Sequence, residues 1–140
     1  GLDGAKMSKS YGNSIAMREE PAVVRQKVQT MPTDPARVRR TDPGNPERCP
    51  VWQFHQVYSN ADTREWVVKG CTTAGIGCLE CKQPVIDAIV AEQKPWRERA
   101  ETYLADPKKV HWIVEMGTER ARTVARQTMR DVRVAMGLNY

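Results

Sequence analysis

Between Asp106 and Gly137 the sequence keeps one uninterrupted helical register, and an element that long commits most of a 140-residue chain to helix packing. Asp106 stands where a side-chain oxygen caps a first turn, Pro107 takes the first helical position, where a missing N–H costs nothing, and Gly137 supplies the stop. Val110, Ile113, Val114, Gly117, Ala121, Val124, Ala125, Thr128, Val132 and Ala135 keep one face apolar or small. Small residues there imply close helix packing rather than a coiled coil of bulky side chains. No other stretch alternates apolar and polar residues as a half-buried strand does. The fold class expected is therefore all-α.

The rest of the chain divides into three. Residues 1–14, with Gly4 and Tyr11-Gly12-Asn13 as turn material, have too few apolar residues for a packed element and read as an exposed loop. Residues 15–50 read as a short helix and a proline-rich connector. Glu19, Glu20 and Pro21 open the helix, Val24, Val28 and Met31 give it an apolar stripe, and Pro32 closes it. The connector carries Asp34-Pro35, Asp42-Pro43 and Asn45-Pro46, which stiffen and turn it. Residues 51–140 read as a helical domain, with short helices over 52–58 and 62–69, a cysteine-bearing loop over 70–77, and a helix from Pro84 with a kink at Pro95 and continuation to Leu104. An apolar share of 40%, with one Phe and four Trp, gives this fold a modest core.

Charge and targeting signals narrow the class of protein. A formal net charge of +5 favours a polyanionic partner. No run of 18 apolar residues exists, and Gly1-Leu2-Asp3-Gly4 resembles neither a charged leader nor an apolar signal, so the reading is of a cytoplasmic protein without a membrane.

Two constellations carry chemistry. In Lys6-Met7-Ser8-Lys9-Ser10, two ammonium groups three residues apart are suited to neutralising a nucleotide's phosphates, with Ser8 and Ser10 hydroxyls as neutral donors; a plain exposed surface loop is the alternative. The second constellation is Cys49, Cys71, Cys78 and Cys81, separated by 21, 6 and 2 residues. Three lie within eleven residues among Gly70, Gly75 and Gly77, where the backbone can turn tightly around a metal. Zinc more often takes two short-spaced pairs, a 4Fe-4S cluster tolerates unequal spacing, and reduced core thiols need no ligand at all. All three readings stay open on spacing alone.

The run Gly4-Ala5-Lys6-Met7-Ser8-Lys9-Ser10-Tyr11-Gly12-Asn13 contains in full the KMSKS signature of class I aminoacyl-tRNA synthetases and resembles their tryptophanyl branch. Thr33-Asp34-Pro35, Asp42-Pro43-Gly44-Asn45-Pro46-Glu47, Gly75-Ile76-Gly77-Cys78 with Cys81-Lys82, and residues 121–136 are similar to the same branch's C-terminal region. The resemblance implies that residues 1–14 end a Rossmann-like catalytic domain whose N-terminal part is missing, and that a small helical anticodon-binding domain follows. It implies a parent enzyme that activates tryptophan with ATP and Mg and transfers it to tRNA(Trp), a homodimeric parent, and an isolated chain without activity. Lys9 would stabilise the pyrophosphate leaving group, with Lys6 as its partner and Met7, Ser8 and Ser10 as supporting ATP contacts. The four cysteines would hold a 4Fe-4S cluster, with zinc as the alternative, and His55 would be a surface or satisfied core histidine.

For RNA, cationic and aromatic side chains near the cysteines are the candidates: Arg48 and Lys82 first, because they flank cysteines, then Arg37 and Arg40. Arg122, Arg126, Arg130 and Arg133 form a charged helix face that is ordinarily solvated. Two other readings compete with the synthetase: a free-standing metal-containing RNA-binding module without catalysis, and a zinc-stabilised protein-interaction domain.

Overall fold

The structure, a computed structural model, describes residues 1–138 and is built from five α-helices with no strand among those residues. They are α1 (Pro21–Thr30), α2 (Pro50–Tyr58), α3 (Ala61–Thr72), α4 (Cys78–Leu104) and α5 (Pro107–Ala135). The chain forms two compact units, Gly1–Arg97 and Glu98–Tyr140. No helix among the described residues is long and apolar enough to cross a membrane.

The core of the first unit joins α1, α2 and α4. Val24, Val28 and Met31 point inward at the helical spacing read from the sequence and meet Val51 and Phe54 of α2 and Val85, Ile86 and Ile89 of α4. Helix entries follow local chemistry. Pro21 and Pro50 occupy first turns, and the Asn60 side chain accepts the Thr63 N–H at 2.9 Å to cap α3.

Helix α4 departs from the expected start at Pro84. It begins at Cys78, because the Glu80 carboxylate accepts the Gly77 N–H at 3.2 Å while the Gly77 carbonyl accepts the Cys81 N–H at 2.9 Å. That reciprocal pair starts a helix as a capping box does. Pro84 and Pro95 therefore lie inside α4. Each forgoes one ladder hydrogen bond, and burial of Val85, Ile86 and Ile89 offsets the loss. The cysteine-bearing loop shortens accordingly: α3 runs through Cys71 to Thr72, and only residues 73–77 separate it from α4.

His55 is a satisfied core histidine. It is fully buried, its Nε2 faces the Cys81 carbonyl at 3.0 Å, and its Nδ1 lies 2.8 Å from the Ser59 hydroxyl. A carbonyl can only accept, so Nε2 carries the proton and Nδ1 accepts from Ser59.

The second unit contains the end of α4 and the whole of α5. Asp106 caps α5 by accepting the Lys109 N–H at 3.1 Å, and the Lys109 ammonium sits 5.3 Å from the Tyr103 ring centroid. Gly137 ends the helix at φ 72°, and the Leu138 N–H closes back on the Arg133 carbonyl at 2.8 Å. Both ends match the sequence reading. The close packing expected along the small-residue stripe is not met inside this unit, which buries no residue of α5. A stripe tells which face is apolar, not what covers it.

Burial holds the pKa of His55 below its ordinary 6.5, so the unfolded chain takes up this proton first as pH falls. The sign is that of a stabilisation complete above pH 6.5 and lost progressively below it. Chemical denaturation between pH 7.5 and 5.5 should show stability falling with pH, and His55→Gln should be less stable at pH 7.5 but show a flatter profile. Identical slopes for the two proteins would remove this role.

Candidate functional site

The loop carrying Lys6-Met7-Ser8-Lys9-Ser10 is exposed at its tip and fixed at its base. Ser8 is in extended conformation, Lys9–Tyr11 make a single 3-10 turn, and Gly12 closes it at φ 64°, a conformation that favours glycine. The side chains of Lys6, Met7, Lys9 and Ser10 face solvent. Neither lysine ammonium has a partner among the described residues, whereas the Ser8 and Ser10 hydroxyls bond each other at 2.8 Å.

Below the tip, Leu2 and Ile15 pack against the core. The Lys27 ammonium donates to the Ser14 carbonyl at 2.9 Å and to the Glu19 carboxylate at 2.6 Å, while Gln93 of α4 donates to the Ala16 carbonyl at 3.0 Å. Two free positive charges are thus presented on a short turn whose feet stand on α1 and α4. Sequence reasoning saw the charges and missed the feet. It also missed Asn13, a buried side chain inside an otherwise exposed loop.

The second constellation lies in the same unit. Cys49, Cys71, Cys78 and Cys81 line one small cavity together with Thr33, Asp34, Arg37 and Val51. The connector is drawn in close: Gly44 donates its N–H to the Cys71 carbonyl at 2.9 Å, and a Cβ on Gly44 would stand 2.7 Å from the Cys71 sulfur. Arg37 reaches across, donating to the carbonyls of Arg40 at 3.0 Å and Ile76 at 2.6 Å, and leaves its buried Nε without an acceptor.

Lining one cavity does not make a ligand set, and here the metal reading is corrected. Among the described residues no group of three or more His, Cys, Asp or Glu side chains is placed to hold a metal ion. The 4Fe-4S cluster expected on Cys49, Cys71, Cys78 and Cys81 therefore does not fit, and neither does the zinc alternative. The iron-sulfur and metal-binding character inferred with them falls as well. Burial, with the neighbouring cysteines adding to it, pushes the Cys71 thiol up and the Cys81 thiol up to about 12. Cys81 also meets the neutral ring of His55, with its sulfur 3.4 Å from Nε2. The cysteines are free thiols.

The four RNA candidates divide by placement. Arg40 and Arg48 are exposed, the latter tethered to Asp34 by a 3.2 Å ion pair. The Asp34 carboxyl is itself held below its usual range, chiefly by the Asn45 N–H it accepts at 2.8 Å. Arg37 and Lys82 are buried instead, and the Lys82 ammonium donates to the carbonyls of Gln29 and Met31 at 2.7 Å each. Those two cations shape the surface from beneath.

A family model described as tRNA synthetases class I (W and Y) matches residues 1–92. A tryptophan–tRNA ligase of Ralstonia nicotianae is 67% identical over 140 residues, which is 100% of this chain and 35% of the relative. One of Thermotoga maritima is 45% identical over 100% of this chain and 43% of its own length. Among solved structures, the tryptophanyl-tRNA synthetase of Campylobacter jejuni complexed with ADP and tryptophan superposes with a TM-score of 0.82 at 25% identity, over 99% of this chain and 43% of that one. The chain thus spans well under half the length of the curated relatives it matches.

With its thiol pushed up to about 12, Cys81 should be the slowest of the four cysteines to react with iodoacetamide at pH 8 in the native state. Mass-spectrometric rates for the four sites check this. Equal rates for Cys81 and Cys78 would show that the Cys81 sulfur is not sheltered.

Proposed function

The chain belongs to the class I tRNA synthetases of the tryptophan and tyrosine type, and we propose on that premise that it is the C-terminal part of a tryptophan–tRNA ligase. The parent joins tryptophan to ATP as an adenylate and passes the aminoacyl group to tRNA(Trp). Residues 1–14 serve the first step as the end of the catalytic domain, residues 15–50 connect, and residues 51–140 form the helical domain that holds the anticodon. The observation that carries the reading is the pair of unpartnered ammonium groups, Lys6 and Lys9, on a turn anchored to the core.

The chemistry follows from where charge develops. The tryptophan carboxylate attacks the α-phosphorus of ATP, a new oxygen–phosphorus bond forms, and the bond to the β-phosphate oxygen breaks. Negative charge therefore grows on the departing pyrophosphate. A fixed cation beside that oxygen stabilises the transition state more than the ground state. Lys9, on the 3-10 turn, takes this role; Lys6 pairs with it toward the phosphates, and Met7, Ser8 and Ser10 contribute backbone and hydroxyl donors. No proton transfer by the loop is required.

For tRNA, the exposed Arg40 and Arg48 neutralise backbone phosphates near the anticodon, and the buried Arg37 and Lys82 hold the surface that presents them.

In the full-length ligase, Lys9→Ala should lower the rate of adenylate formation by about 10²–10³ and leave the tRNA dissociation constant within a factor of two. Pre-steady-state ATP consumption and filter binding measure the two quantities. Equal losses in both would remove the assigned role. Arg40→Ala should weaken tRNA binding modestly and lower the slope of log affinity against log salt by about one ion. An unchanged salt slope would take Arg40 off the RNA.

A further inference from the structure

The cations of the loop are exposed and lack partners, so something else must hold the backbone that aims them. The only buried polar side chain of the loop is Asn13, 4% exposed. Its Oδ1 accepts the Ser8 N–H at 2.7 Å; its Nδ2 donates to the Lys6 carbonyl at 3.1 Å and to the Asp3 carboxylate at 2.8 Å. Its own carbonyl accepts the Leu2 N–H at 2.8 Å. One amide thus grips the peptide groups on both sides of Met7, between the two lysines.

Both hydrogens of the Asn13 amide are used, and its oxygen holds the N–H at the head of the 3-10 turn that carries Lys9. Asp3 completes the grip from the other side, because its Oδ1 also accepts the Ala5 N–H at 3.0 Å. The remaining backbone links are few: the Gly1 nitrogen to the Ala5 carbonyl, Gly4 N–H to the Gly1 carbonyl, Tyr11 N–H to Ser8 and Gly12 N–H to Lys9. Without Asn13, nothing else among the described residues ties Lys6 and Ser8 to each other.

We propose that Asn13, locked by Asp3, is the positioning residue of this loop: it fixes the backbone at Lys6 and Ser8 so that Lys9 meets the leaving phosphates. This rests on the reading of the loop as the ATP-phosphate contact. Asn13 touches no reacting atom. Its contribution is that the loop does not have to be ordered at the moment of reaction, and misplacement of an aimed group by about 1 Å costs on the order of 10²-fold in rate.

The chemistry of the pair supplies the test. Asn13→Asp keeps the acceptor for Ser8 but loses the donors and sets a second carboxylate against Asp3. Exchanging the two residues, Asp3→Asn with Asn13→Asp, restores the bond between them in the reverse direction and keeps the acceptor for the Ser8 N–H, with volume conserved, but leaves the Lys6 carbonyl without its donor. ATP–pyrophosphate exchange is measured on the full-length ligase for Lys9→Ala, Asn13→Ala, Asn13→Asp and the exchanged pair, with thermal unfolding and the KM for tryptophan alongside. Asn13→Ala and Asn13→Asp should each lower kcat by about 10- to 100-fold and leave the KM for tryptophan and the unfolding temperature unchanged, and the exchanged pair should regain part of the loss through the Ser8 and residue-3 contacts while staying below the parent because the Lys6 carbonyl is unheld. A role in folding alone would move the unfolding temperature and not kcat. If Lys9→Ala is slow while Asn13→Ala keeps kcat within twofold, the positioning role is wrong and the loop's function stands. If Lys9→Ala itself is unaffected, the reading of the loop fails and this role with it. Where Asn13→Ala does not fold, the comparison of Asn13→Asp with the exchanged pair decides, and absence of recovery in the pair overturns the proposal.

Discussion

A single buried ammonium ties the first unit together. Lys82 stands one turn before the apolar run of α4 and donates to the carbonyls of Gln29 and Met31, at the C-terminal end of α1. Those carbonyls have no partner within the helix and carry the negative end of its dipole, so a cation is the group they best accept. One residue earlier, the Cys81 carbonyl receives His55 of α2. Two consecutive residues of α4 therefore bind it to both neighbouring helices with polar contacts, and Val85, Ile86 and Ile89 continue with apolar ones. Burial pulls the Lys82 ammonium's pKa down, and the two carbonyls it donates to oppose that desolvation. Removing one partner of such a contact costs more than the contact contributes, because the other partner stays buried and unpaired.

The loop depends on that frame. Its feet are Ser14, Ala16 and Glu19, held by Lys27 of α1 and by Gln93 and Arg97 of α4, so the α1–α4 pairing fixes where the loop rises. Its tip is then shaped by Asn13 and Gly12. On the proposed reading, this division serves the chemistry: a rigid base gives direction, and a short solvent-facing turn leaves two cations free to meet phosphates. The cysteine cavity lies beside the same frame, sealed by the connector through Gly44 and Arg37. The thiols there act as small apolar side chains with sulfur contacts, and the connector is held by Asp34, Arg37 and the backbone of residues 44–49.

Legibility in the sequence followed the locality of the signal. Asp106, Pro107 and Gly137 are cap residues whose meaning is set by their own turn, and α5 has the ends they announce. The stripe Val24, Val28 and Met31 is equally local. The start of α4 was hidden because Pro84 is an ordinary helix opener, while the actual opener is a glycine capped by Glu80. Lys82 was read as an RNA contact because it flanks Cys81, yet it lies at helical spacing with Val85, Ile86 and Ile89, and that register placed it on the buried face. The cysteine reading failed for a different reason. Spacing reports how far apart sulfurs are along the chain and not where they point, and placing Cys71 at the end of one helix with Cys78 and Cys81 at the start of the next lined a cavity without assembling ligands. Asn13 left one faint sign, a polar residue two positions before Ile15, where the chain first returns to the core.

The amino acid that the full-length protein activates is the most direct readout of its function. The direct measurement is ATP–pyrophosphate exchange with each of the amino acids in turn, on the full-length protein. Exchange with tryptophan alone is the result the account predicts; exchange with tyrosine in its place, or exchange that no amino acid stimulates, would contradict it.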